Sequence, residues 1–131
     1  MRLTVFLARL IGLFSIIVVA VLFLRGSDLT QTLLANAQAV FIMGLIAVGS
    51  GLAIIVGHNV WSGGALPVVV TIIGWLILAK GLLLLSLAPA TVMRLFDSMG
   101  YATHAQLFLI PGLLLGVCLC WAGFATGTQY R

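Results

Sequence analysis

Apolar residues run almost unbroken through four stretches of this chain, about 4–24, 37–57, 66–87 and 105–124, with polar residues gathered between them. Each stretch is close to the roughly 20 residues that a helix needs to cross a bilayer. The pattern predicts an all-α polytopic membrane protein: a single domain, 1–131, of four transmembrane helices. Between the third and fourth runs the pattern changes. Val92, Met93, Phe96 and Met99 alternate at helical spacing with Thr91, Arg94, Asp97 and Ser98, which predicts a short interfacial helix over about 90–99, stopped by Gly100. Arg25–Asn36 reads as a polar connection that becomes weakly helical, with Ser27 or Asp28 as N-cap.

Small residues inside the runs predict where helices approach closely. Gly49, Ala53 and Gly57 recur every four residues, and Ala47 and Gly51 form another such pair. In lipid, association rests on packing rather than on the hydrophobic effect, so small residues at this spacing predict a central second helix. In the third helix, which Pro67 opens, Thr71, Gly74, Trp75, Leu78 and Gly81 fall on one stripe that should face other helices. Lys80 lies off that stripe.

Composition agrees with the pattern. The chain is 63% hydrophobic and 6% charged, too little polar surface to cover a water-soluble core. The net charge of +4 comes from basic residues scattered singly, which argues against a nucleic-acid surface or a polybasic lipid cluster. The N-terminal run resembles a secretory signal in length. It ends at Arg25 without a small-x-small cleavage site, however, so a retained first helix is expected, with Arg9 snorkelling to the headgroups. Cys118 and Cys120, two apart on a helix, point in different directions and cannot pair with each other.

Four spans would place Arg2, Arg9 and Arg131 on one side and Arg25, Arg94 and, by proximity, Lys80 on the other. The positive charges nearly balance, and the leaning is towards cytoplasmic termini. Trp61, Trp121 and Tyr130 would then belt that face, with Tyr101 on the opposite one. The halves also echo each other: Gly12, Arg25 and Asp28 reappear as Gly81, Arg94 and Asp97, and Ala37-Gln38 with Gly44 reappear as Ala105-Gln106 with Gly112. Such halves would be parallel repeats about an axis along the membrane normal.

Candidate chemistry is sparse. His58 lies between helices 2 and 3 and His104 at the start of helix 4, on opposite faces by topology, so one monomer cannot use both on one haem or metal. His58 is expected to hydrogen-bond backbone carbonyls through its ring, and Asn59 to tie the turn through its amide. Asp28 and Asp97 each follow an arginine by three residues, which favours local ion pairs over acid and base catalysis. With no nucleophile, metalloprotease or phosphate-loop motif present, neither enzymatic activity nor a cofactor is expected. Lys80, a charge within an apolar run, is the one position where special chemistry is the default hypothesis.

The segment His58-Asn59-Val60-Trp61, then Pro67-Val68-Val69, then Thr71-x-x-Gly74-Trp75-x-x-Leu78-x-Lys80-Gly81 resembles a group of small, uncharacterised bacterial inner-membrane proteins. They carry H-N-x-W, a short gap and T-x-x-G-W-x-x-L-x-K-G. The resemblance covers this segment alone. It implies four helices in a bacterial inner membrane, and no activity or ligand. The expected role is a structural or accessory subunit packing through helices 2 and 3, as a homo-oligomer or within a larger membrane complex. The alternative is an oligomeric pathway for a small solute or ion that uses Lys80. Candidate functional or structural residues are therefore His58, Asn59, Trp61, Thr71, Gly74, Trp75 and Lys80.

Overall fold

The computed structural model describes residues 2–127; the side chains of residues 27, 101–103, 105, 106, 108, 126 and 127 lie outside that description. Five helices follow in order: α1 (Arg2–Ala35), α2 (Ala37–Gly57), α3 (Ala65–Ser86), α4 (Pro89–Ser98) and α5 (Tyr101–Gly127). No strand occurs among the described residues.

Three helices, Arg2–Gly26, Ala37–Gly57 and Ala65–Ser86, are long and apolar enough to cross a membrane. Within the molecule they bury only 11%, 22% and 33% of their most apolar windows. Most of their side-chain surface therefore faces outwards and needs an apolar surrounding, as in a bilayer. In α5 the described apolar stretch is Leu109–Ala125, shorter than the other three.

Local chemistry explains where the elements begin and end. Gly26 holds φ 70 and ψ −168, breaking α1 into a long arm and a short second arm, residues 27–35. That left-handed φ is open to glycine without a Cβ clash. The Asn36 side chain accepts hydrogen bonds from the Gln38 and Ala39 amides at 3.0 and 3.2 Å, an N-cap for α2. Pro89 opens α4, where its missing N–H costs nothing. The amphipathic pattern of α4 survives in the fold: Val92 is buried and Met93 and Phe96 are half-buried, while Thr91, Arg94, Asp97 and Ser98 are exposed.

The long helices form two antiparallel pairs, α2 with α3 and the long arm of α1 with α5. Glycine sets both interfaces. A Cβ at Gly51 would lie 2.6 Å from the Leu78 backbone nitrogen, and one at Gly81 would lie 2.6 Å from that of Val48. Likewise a Cβ at Gly12 would lie 2.9 Å from both the Cys120 nitrogen and the Gly116 oxygen. Such distances leave backbone against backbone, the arrangement that dispersion and Cα–H···O contacts favour in lipid.

The second helix packs closely through one of the two small-residue sets that the spacing suggests, Ala47 and Gly51, and not through the other. Gly49 has open space around it and Ala53 is exposed. Gly57 approaches only Leu3, and only at the limit of contact. The side of α2 that meets α3 carries the expected Ala47 and Gly51 together with Gly44 and Ile54. The i, i+4 spacing identified a small-residue face correctly, but spacing alone does not say which face a neighbour will occupy.

Arg9 also differs from expectation. Its Nε–H donates to the Gly123 carbonyl oxygen at 3.0 Å, and its guanidinium lies 4.5 Å from the centre of the Phe124 ring. The charge is met by the carbonyl-rich end of α5 and an aromatic face, so it does not depend on reaching the headgroups. The Ser15 hydroxyl makes a second cross-link, donating to the Gly112 carbonyl at 3.0 Å.

Candidate functional site

The turn between α2 and α3 is the most structured polar feature of the molecule. Gly57 ends α2, and the chain reverses over His58–Gly64 before α3 starts at Ala65. Ser62, Gly63 and Gly64 supply the reversal, the two glycines with φ 90 and 122. The turn is closed from inside by one side chain, that of Thr71.

Thr71 is fully buried. Its hydroxyl accepts the Val60 N–H at 3.1 Å and lies within donating distance of three carbonyl oxygens: Val60 and Pro67 at 3.0 Å and His58 at 3.3 Å. One proton serves one carbonyl at a time, so the hydroxyl works as a pivot on which several backbone groups converge. A residue in α3, one turn after Pro67, thereby holds the main chain that leaves α2.

The two aromatic and amide residues of the turn point outwards. The Trp61 Nε1–H donates to Asn59 Oδ1 at 2.7 Å, and both residues are exposed. An exposed indole that carries a satisfied N–H suits headgroup depth. Trp121, near the end of α5, is also exposed at this end of the molecule. Tyr130, Arg131 and the Tyr101 side chain, which sequence reasoning also placed at the interfaces, lie outside the described residues.

His58 is 4% exposed and continues the end of α2, its N–H donating to the Ile54 carbonyl at 2.6 Å. The expected bonds from its ring to backbone carbonyls are not made: Nε2 is buried and without a hydrogen-bond partner. Leaving such a group unsatisfied costs about 1–3 kcal/mol. The three buried polar residues are Thr4, His58 and Thr71 among the described residues. They gather at one end of the bundle. Ala8 and Ile54 share a core cluster with Val70, and Thr4 and His58 lie one turn outward from the first two of these.

The remaining candidates are separated from this group. Gly74 is buried at the α2 contact, where a Cβ would meet Ile54 Cγ2 at 2.6 Å. Trp75 is 47% exposed, which corrects its placement on the packed stripe. The contact is centred on Gly74 and Gly81, and a residue 100° round from Gly74 falls at its lipid edge. Lys80 is exposed, and no hydrogen bond or ion pair holds it among the described residues. Thr71 and Lys80 therefore belong to different environments.

The two histidines stay apart, His58 in the α2–α3 turn and His104 at a break in α5 with φ −125 and ψ 27. No group of three potential metal ligands occurs among the described residues. Asp28 and Asp97 are exposed, and neither makes the expected ion pair with its neighbouring arginine among the described residues. At interface depth water competes with such pairs, so their absence is unsurprising. Sequence reasoning named Thr71 but missed its partners, which are backbone groups and carry no residue signature. It placed Asn36 at the end of a polar connection but missed its capping role, although an asparagine just before an apolar run is a cap signal. Comparison with protein-family models, curated proteins and solved structures finds no match.

Proposed function

We propose that the protein is a non-enzymatic accessory subunit of a bacterial inner membrane, crossing it four times, that docks a further transmembrane helix on the outer face of α2. The observation that carries this reading is the open surface at Gly49, bordered by exposed Ala53 and Gly57. Glycine is disfavoured within a helix unless something uses the space it leaves. Gly44 and Gly51 serve α3 inside the molecule, whereas Gly49 serves nothing within it. A second copy of the chain, or a helix of a larger membrane complex, would supply the missing neighbour.

Native mass spectrometry in mild detergent tests the reading directly. Wild type is expected as an oligomer or with a bound partner, and Gly49→Leu as a folded monomer with unchanged thermal stability. A Gly49→Leu protein that keeps its assembly state would remove the proposal.

Lys80 supports a second reading, an oligomeric pathway, because its exposed ammonium has no partner among the described residues. It lies six residues before the end of α3 at Ser86, about 9 Å along the helix at 1.5 Å per residue. A lysine near the centre of a span costs about 2.5–3.5 kcal/mol on insertion scales, less where it snorkels. Lys80→Met is therefore expected to leave unfolding in detergent unchanged or slightly delayed, and to leave the assembly intact. A variant that folds normally but loses ion conductance in liposomes would favour the pathway.

A further inference from the structure

The pairing of helices divides the molecule into two bodies with unequal connections between them. Within each pair, glycine brings backbones to contact at Gly51, Gly81 and Gly12. Between the pairs, contacts are sparse. The buried core that the two pairs share lies at one end. The core cluster at the end bearing the α2–α3 turn draws on both pairs, joining Ala8 and Leu119 to Ile54, Val70 and Ile73.

The opposite end is built differently. Its core consists of Leu34, Val40, Leu84 and Val92, with Met43 and Phe96 against them. These residues come from α2, α3, α4 and the short arm of α1. Among the described side chains, neither the long arm of α1 nor α5 contributes to this core. Between those two helices lies instead an apolar groove of about 490 Å³, lined by residues such as Ile16, Val19, Phe23, Ile110 and Leu113. Among the described residues, one body thus has a buried core at this end and the other has a groove.

The bodies also correspond. Gly12 meets Gly116 and Cys120, and Gly81 meets Ala47 and Val48. The offset between Gly12 and Gly81 is 69 residues and that between Val48 and Gly116 is 68, counted from their positions in the chain. The long helices of one half therefore pack on those of the other as though related by a twofold axis. The connecting helices do not share this offset, since residues 27–35 would fall on 96–104 rather than on α4.

We propose that the protein is a two-body device: the α1–α5 pair rocks as a rigid unit against the α2–α3 pair, about the shared core beside the α2–α3 turn. Glycine-set interfaces have no side-chain layer to shear, so motion is directed to the seam between pairs. The broken backbones at Gly26 and His104, φ 70 and φ −125, stand where the moving pair joins the opposite end. Small hinges of this kind are where rigid-body motions are absorbed. A rotation of about 15°, typical of such transitions, carried over the roughly 30 Å of a hydrocarbon core, moves the far end by about 8 Å.

Pulsed electron paramagnetic resonance on the full chain in nanodiscs tests this without reference to the docking role. Cys118 and Cys120 are replaced by alanine, and labelled protein is diluted with unlabelled protein so that distances between copies do not contribute. Spin labels go on exposed positions in three combinations. Val21→Cys with Ile42→Cys reports between pairs at the far end, Phe6→Cys with Val56→Cys reports between pairs beside the turn, and Ile42→Cys with Leu83→Cys reports within a pair. The expected result is a broad or two-peaked distribution spanning about 8 Å for the first combination, with single narrow distributions for the other two. A far-end distribution as narrow as the within-pair one overturns the proposal, and so does a broad within-pair distribution. Circular dichroism and melting of each labelled variant establish that it is folded, and Val18→Cys with Phe41→Cys replaces the first combination if that one is not.

Discussion

Gly81→Leu and Gly51→Leu are each expected to destabilise the bundle severely, whereas Gly49→Leu is expected to leave it as stable as wild type. At Gly81 a new Cβ alone would meet the Val48 nitrogen at 2.6 Å and the carbonyl carbon of Ala47 at 3.0 Å. At Gly51 it would meet the Leu78 nitrogen at 2.6 Å and Cα at 2.8 Å. These obstacles are main-chain atoms within helices, which a rotamer change cannot clear. Inserting methylenes into a packed core costs about 1–3 kcal/mol even where side chains can shift, and here whole helices must separate. The expected loss is at or beyond the top of that range, enough to consume much of a marginal stability. Gly49, with nothing near it, is the internal control. Unfolding by sodium dodecyl sulfate, followed by circular dichroism, distinguishes the positions; equal stabilities at all three would refute the close-packed α2–α3 interface.

Thr71→Val is the second substitution with a large expected effect. Valine matches threonine in shape, so the change removes the hydroxyl and little else. The Val60 N–H then loses its acceptor, and the carbonyls of His58, Val60 and Pro67 lose their shared donor. Removing one side of a buried network costs about 1–3 kcal/mol, and the loss should appear first in the turn. Hydrogen exchange at Val60 is expected to accelerate strongly in Thr71→Val while amides in the middle of α2 stay protected. Thr71→Ser retains the hydroxyl and should restore protection at Val60. A Thr71→Val protein with unchanged exchange there would show that the turn closes without the threonine.

Much of the architecture was legible because hydrocarbon imposes it. Long runs of apolar residues can satisfy their backbone only as helices, and polar interruptions mark their ends. The observed α2 coincides with the expected 37–57, and α3 and α4 differ from expectation by one residue at each end. Packing was legible only in part. Gly51 and Gly81 carry the same letter as Gly49, and what separates them is the rotation of α2 against α3, which a single stretch of sequence does not encode. The buried status of Thr71 was similarly accessible, since its stripe pointed inwards. Its function as a clasp was not, because its partners are carbonyls and an amide that every residue possesses. Arg9 shows the same limit. An arginine near a helix end suggests snorkelling when read locally, yet its acceptor, Gly123, lies 114 residues away.

That separation has a consequence for how the molecule comes into being. The α2–α3 pair closes over the His58–Gly64 turn, so both of its faces exist soon after α3 has been made. The long arm of α1 is synthesised first but receives its partner last, when Gly112, Gly116 and Gly123 emerge near the other end of the chain. At about 5–20 residues per second, the 37 residues from Ser86 to Gly123 take roughly 2–7 s, and for that time the face of Gly12 waits while α2 and α3 are already joined. Through that interval the growing chain holds a finished hairpin and an orphan helix, and Arg9 has no carbonyl to meet.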